Sequence, residues 1–231
     1  LREIGVNNTP PLSIDSEDIR EADGFLYSRL AYTGGDASVV YSYKQFLLPL
    51  GEYTPYVYRV LLKLFGGEIL LEKVVRVRGY AQGPFADTAS FRGAELGARF
   101  CDEAMSPELY RQQVVQGAHV LVNLSSQSWF HGSRLVYEEM KQVARVRAVS
   151  LGRWYVQSGN MAPAFVLDEY GQIVGETQWG IPQAFSMQVP IRDDRTPYIL
   201  FGAWTPLVLV GLLLGTLGYQ IVINSIRHRR T

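Results

Sequence analysis

One cysteine, one lysine in an apolar run and a few carboxylates carry whatever covalent chemistry this chain can do. Cys101 lies just ahead of Ser106-Pro107-Glu108, which reads as a helix start: a capping hydroxyl, a proline at the first helical position, and an acid in the first turn. The positive end of a helix dipole favours a thiolate, the form of cysteine that attacks carbonyl carbon. A lone cysteine is also a common small core residue, and local context leaves both readings open. Lys44 precedes Gln45-Phe46-Leu47-Leu48-Pro49-Leu50-Gly51-Glu52, where an ammonium must be solvated or paired. It is either a strand-edge lysine with its head in water or a cation fixed at a site. Glu52, between Gly51 and Tyr53, reads equally well as a turn acid. Asp102 and Glu103 follow the cysteine and read locally as surface charge or as complements to the helix start. His119 and His131 raise a Cys–His pair, against a structural or surface role for each. No metal or cofactor is expected.

The elements that must hold these residues alternate between strand and helix. Residues 1–24 are polar, carry Pro10-Pro11, and read as a loop. Two short strands fall within residues 25–43, separated by Gly34-Gly35, and residues 74–78 alternate like a strand with one wet face. A strand over 95–101 ends at the cysteine, and the helix from Ser106 should stop near Gly117. A buried strand over 119–124, a Ser/Gln-rich loop and a helix over 134–151 follow. The spacing of that last helix predicts an inner face of Val136, Met140, Val143 and Arg147, with Arg147 either snorkelling outward or reaching a carboxylate. Strands over 154–157 and 164–167 lead to a hairpin turn at Asp168-Glu169-Tyr170-Gly171, with Gln172-Ile173-Val174 returning. No internal repeat is visible, and the pattern is a layered α/β domain.

Residues 198–226 run almost wholly apolar and close on Arg227-His228-Arg229-Arg230. A membrane-spanning helix needs about 20 such residues. Tyr198 and Trp204 suit the headgroup level, and the basic end predicts a cytoplasmic C-terminus. Gly211 and Gly215 have the spacing of a close helix contact, a weak signal in a glycine-rich span. Expected domains are therefore residues 1–197 outside the cytoplasm, the span 198–226, and a basic tail 227–231. Because the chain opens without a signal-like segment, it reads as the C-terminal part of a longer, multi-pass membrane protein. Charge balances, 22 Lys+Arg against 22 Asp+Glu, so no nucleic-acid partner is suggested. With Cys101 the only cysteine, no internal disulfide can form.

Together the residues resemble one family. Tyr43-Lys44-x-Phe46-Leu47-Leu48-Pro49-Leu50-Gly51-Glu52-Tyr53-x-Pro55 is similar to the lysine segment of apolipoprotein N-acyltransferases, membrane members of the nitrilase (carbon–nitrogen hydrolase) superfamily. Phe100-Cys101-Asp102-Glu103, followed by Pro107, resembles their nucleophile segment. The stretch from Val122 through Trp129-Phe130-His131-Gly132-Ser133 resembles the strand and loop that follow, and Arg145-Val146-Arg147-Ala148 through Gly152-Arg153 to Asn160 the next helix and strand. Thr196-Pro197-Tyr198 with Phe201-Gly202 and Trp204 resembles the approach to the last transmembrane helix.

The resemblance implies a four-layer αββα domain on the extracytoplasmic side of a bacterial inner membrane, with a Glu–Lys–Cys triad. Cys101 would take an acyl chain from a phospholipid and pass it to the amine of a diacylglyceryl-lipoprotein. Lys44 would stabilise the oxyanion, Glu52 and Glu103 would orient it or assist proton transfer, and Trp129, Phe130 and Asn160 would bind substrate. The family's general-base glutamate has no convincing match among residues 1–43 and is expected upstream of Leu1. Departures include Ser126-Gln127-Ser128 where Ser-Asn-Asp is usual, Asp102 where an aromatic is usual, and Met161 after Asn160. Two rivals remain: an anchored amidase with water as acceptor, and an envelope interaction protein that has kept the fold without turnover.

Overall fold

The computed structural model describes residues 11–35, 39–67, 69–70, 79–84 and 88–228, the last eight by backbone alone. Two sheets form. The smaller orders β1 (Ser13–Arg20), β2 (Leu26–Thr33) and β3 (Val40–Tyr43) as an antiparallel meander. The larger runs β4 (Ala89–Phe91), β5 (Ala94–Phe100), β6 (Val120–Ser126), β7 (Trp154–Asn160), β8 (Phe165–Leu167) and β9 (Ile173–Glu176) in sequence order. Its β5–β6 and β6–β7 pairs are parallel, while β4, β8 and β9 join antiparallel. Parallel neighbours need long crossovers, supplied here by α2 (Pro107–Val115) and α3 (Arg134–Leu151). Arg92 and Gly93, both at positive φ, turn β4 into β5 in the manner of a tight hairpin.

Two cores result. Leu30, Tyr32, Ala89, Ala98 and Phe100 pack between the sheets, where the Ala98 amide donates to the Tyr32 hydroxyl at 2.9 Å. Tyr110, Leu121, Tyr137, Leu151, Tyr155, Phe165 and Leu167 fill the space between the large sheet and its helices. Each such apolar side chain contributes about 1.5–3 kcal/mol on burial. The described residues thus supply three of the expected layers: helices, sheet, sheet. Residues 74–78, expected as a strand, lie outside the described residues.

Two expectations about elements are corrected. Part of the 1–24 segment is not loop: β1 pairs with β2 over eight positions. Its sequence, Ser-Ile-Asp-Ser-Glu-Asp-Ile-Arg, hides the strand because an edge strand with a wet face needs few apolar residues. The inner face of α3 is rotated by about one residue. Tyr137, Met140, Lys141, Ala144, Ala148 and Leu151 are buried, because Tyr137 supplies the apolar bulk and the two alanines admit the sheet closely. Val136, Val143 and Arg147 flank that face, half-buried. Gly152 ends the helix at a left-handed φ of 58°, which costs glycine least.

Between β3 and β4, α1 (Tyr56–Leu64) buries none of its residues. At the other end, α4 (Pro197–Phe201) is capped by Thr196 and held by Arg111, whose Nε donates to the carbonyls of Tyr198 and Ile199. A short 3-10 turn leads into α5 (Thr205–His228). Residues Pro197–Gln220 are long and apolar enough to cross a membrane, with a mean hydropathy of 2.0 in the best window.

Candidate active site

Three parallel strand ends converge on Cys101. It follows Phe100, the last residue of β5; Ser125 and Ser126 end β6, and Asn160 ends β7. In parallel sheets the carboxyl ends of strands are where ligands bind. Cys101 opens a 3-10 turn, Cys101–Met105, with a backbone φ of 29°. A side-chain-bearing residue there costs about 1–3 kcal/mol of strain, which the surroundings must hold in place. Asn123, wholly buried, does part of this by donating its amide to the Cys101 carbonyl at 3.2 Å and to Gln157 Oε1 at 3.2 Å. Ser125 Oγ donates to Cys101 Sγ at 3.4 Å, and the thiol faces the Ser126 carbonyl at 4.0 Å.

Lys44 directly follows the smaller sheet's last strand. Its amide donates to the Ser28 carbonyl on β2, and its own carbonyl accepts from the Gly83 amide. The side chain is 5% exposed, so the reading of a strand-edge lysine in water is corrected. Its Nζ lies 2.5 Å from Glu52 Oε1 and 2.7 Å from Asp102 Oδ1. Glu52 is also the expected turn acid: its Oε2 accepts from the Leu48 amide at 2.8 Å, closing the 48–52 turn. Burial works against the ammonium, yet Asp102 foremost and then Glu52 outweigh it, and the Lys44 pKa stands above the ordinary lysine value.

Asp102 and Glu103 are not surface charges, contrary to the local reading; both are buried. Glu103 accepts the amides of Gln45 at 2.7 Å and Phe46 at 3.1 Å on one oxygen, and that of Phe100 at 3.1 Å on the other. It therefore orients the backbone next to Lys44 rather than Lys44 Nζ. Burial pushes its pKa up, against the pull of Arg99, 4.0 Å away, and of the three amides. Among the described residues Arg147 meets no carboxylate, and it is half-buried rather than extended into solvent. Its guanidinium donates to the carbonyls of Ala104 at 2.8 Å and Met105 at 3.1 Å, bracing the end of the cysteine turn.

The remaining expected residues lie at or just past the ends of β6 and β7. Trp129 and Phe130 sit on a short 3-10 turn after β6, the tryptophan 78% exposed. The Asn160 amide donates to Ser126 Oγ at 3.2 Å, and its carbonyl accepts from the Gln127 amide. Neither histidine is paired with the cysteine. His119 Nδ1 accepts from the Glu95 amide while its Nε2 lies 2.9 Å from Asp193, and His131 caps the 128–130 turn from a left-handed backbone. Among the described residues no cluster of three or more His, Cys, Asp or Glu side chains suits a metal ion. Asp102, Ser125 and Asn123 were missed as site residues. Asp102 alone left a signal, as an acid directly after the cysteine.

A cysteine nucleophile with a fixed cation and buried carboxylates suits acyl transfer through a thioester. Comparison with known proteins places the chain in a family. The carbon–nitrogen hydrolase family matches residues 20–191. The apolipoprotein N-acyltransferase of Pseudomonas paraeruginosa is 32% identical over 74% of this chain and 32% of its own length. That of Gloeobacter violaceus is 26% identical over 85% of this chain and 37% of its own. This chain thus spans about a third of the length of the curated relatives it matches. A carbon–nitrogen hydrolase from Helicobacter pylori G27 shares the fold at a TM-score of 0.52 and 14% identity, covering 73% of this chain and 58% of that one. Saccharomyces cerevisiae Nit3 does so at 0.51 and 15%, over 70% and 53%.

Proposed function

The chain belongs to the carbon–nitrogen hydrolase family, and within it we propose that Cys101 accepts a fatty acyl group from a phospholipid and yields it to an amine. The Cys101 sulfur attacks the ester carbonyl. The thiol proton passes to a base and on to the departing lysophospholipid oxygen as the C–O bond breaks, leaving a thioester. The N-terminal amine of a diacylglyceryl-lipoprotein then attacks, the C–S bond breaks, and an amine proton returns to sulfur. Lys44 stabilises the oxyanion of each tetrahedral intermediate, Glu52 holds Lys44, and Glu103 holds the backbone beside it. Trp129, Phe130 and Asn160 line the acyl and acceptor side.

The observation that carries this reading is a nucleophile turn held at positive φ and joined to a buried lysine by a carboxylate contact. The names of the relatives support the substrate class. The apolar helix and the basic cluster after it support a span over 198–226 with a cytoplasmic tail over 227–231 and residues 1–197 outside. A second layer of helices outside the smaller sheet completes the expected αββα sandwich, and a glutamate expected upstream of Leu1 completes the triad.

The test uses the full-length protein in phospholipid vesicles, with intact mass before and after adding an acceptor peptide bearing a diacylglyceryl-cysteine. The expected result is a fatty acyl adduct on Cys101 that disappears as the peptide gains an amide. An adduct that persists in Cys101→Ala removes the assigned nucleophile. Absence of any acyl adduct, with turnover of a simple amide, makes the protein an anchored amidase instead.

A further inference from the structure

We propose that Asp102 is a positioning residue: with Glu52 it clamps Lys44 Nζ, and it is the contact that ties this lysine to the nucleophile's own turn. Glu52 alone fixes Lys44 only to the loop that the lysine itself begins, eight residues on in the chain. Lysine carries a flexible four-carbon stem, so one ionic contact within one loop leaves the head free to move relative to Cys101. The Asp102 carboxylate, 2.7 Å from Nζ, is bonded through the chain to the nucleophile. Any shift of the cysteine turn therefore carries the cation with it.

A second observation separates this role from ordinary interior packing. Among the described residues, Asp102 Oδ2 is buried and meets no hydrogen-bond donor. Buried polar atoms are nearly always satisfied, and an acid kept for the fold alone would meet donors on both oxygens, as Glu103 does. Asp102 directs its one ionic contact to Lys44.

The groups around Lys44 set how the clamp responds to pH. Glu52 faces it from its own turn, and Asp102 from the cysteine turn, which also carries the Cys101 thiol. Glu103 is turned to the Gln45 and Phe46 amides and toward Arg99, and Tyr80 lies by Glu52, its amide donating to the Glu52 carbonyl. Two anions thus attend one cation directly. Removing the Asp102 charge withdraws the largest support of the ammonium while burial stays.

The proposal rests on the acyl-transfer reading, and its test separates the two. In the full-length protein, competitive labelling of Lys44 with acetic anhydride across pH, read by peptide mass spectrometry, measures how firmly the amine holds its proton. Asp102→Asn should raise labelling at pH 9 about tenfold, since the amine loses the carboxylate 2.7 Å away that favours its protonated form. Asp102→Glu should restore it to within about twofold. Labelling of Asp102→Asn that matches wild type at every pH overturns the proposal. If Asp102→Asn does not fold, carbodiimide coupling of the wild-type protein decides. A Lys44–Asp102 amide cross-link supports the clamp, and coupling of Lys44 to Glu52 alone overturns it. Single-turnover acylation of Asp102→Asn should fall about tenfold with an unchanged lipid KM. A wild-type protein that forms no thioester sinks the acyl-transfer reading, while labelling and cross-linking still judge Asp102.

Discussion

Glu103 Oε1 accepts the Gln45 amide at 2.7 Å across 58 positions of sequence. One side chain from the cysteine turn thereby fixes the strand end that carries the lysine. Two loops from different sheets are held together by a single carboxylate, which also accepts from Phe46 and Phe100.

Glu103→Ala should therefore be among the more destabilising single changes. It leaves three backbone amides without their acceptor, that of Phe100 buried and those of Gln45 and Phe46 part-buried, and an unsatisfied buried donor costs about 1–3 kcal/mol. A loss of about 3 kcal/mol or more is expected, read as a fall in the midpoint of thermal unfolding. A midpoint within a degree of wild type would deny Glu103 this bridging role.

Much of this arrangement was legible in the sequence where local signals are strong. The helix over 134–151 has its serine cap and glycine stop, and the helix after Ser106 begins at Pro107 as expected, although the Ser106 hydroxyl makes no capping bond. The strand ending at the cysteine follows from its apolar run into a helix start. What escaped depends on partners distant in sequence. β1 reads as polar loop because its stability comes from pairing with β2. Asp102 and Glu103 read as surface because nothing local announces that Lys44 and two amides will descend on them. Arg147 reads as a snorkelling cation because the carbonyls it braces lie 42 and 43 positions away.

Lys44→Met keeps the apolar stem and removes the charge. Under the proposed role of Lys44, acyl transfer should drop at least about a hundredfold, the usual cost of one group that stabilises an oxyanion. Glu52 and Asp102 are then left without their cation, and breaking such a buried pair costs about 3–5 kcal/mol. The pH dependence follows from the raised Lys44 pKa. The stabilisation is fully present below the ordinary lysine value of 10.5 and fades as pH rises through the folded value. The gap in unfolding midpoint between wild type and Lys44→Met should thus be constant near neutrality and narrow only at strongly alkaline pH. A gap that narrows between pH 7 and 9 would contradict the clamped ammonium.

Arg147→Met tests the brace under the proposed nucleophile. Two carbonyls lose charge-assisted donors, one bond part-buried and the other exposed, so the loss should fall below the roughly 1.5–3 kcal/mol that each such bond contributes at its strongest. Because those carbonyls end the turn that Cys101 begins, acylation should slow more than unfolding accounts for. The check is single-turnover thioester formation at a temperature well below both unfolding midpoints. A rate equal to wild type there would confine Arg147 to stability.

Ser125→Ala removes one hydroxyl from the thiol, the donor 3.4 Å from Cys101 Sγ. That bond orients the sulfur, and a neutral hydrogen bond is worth about 1 kcal/mol, so its loss should slow alkylation of Cys101 by iodoacetamide in the full-length protein by roughly fivefold at neutral pH. The chain holds no other cysteine, so its adduct is assigned by peptide mass. A rate equal to wild type would leave Ser125 outside the chemistry of the sulfur.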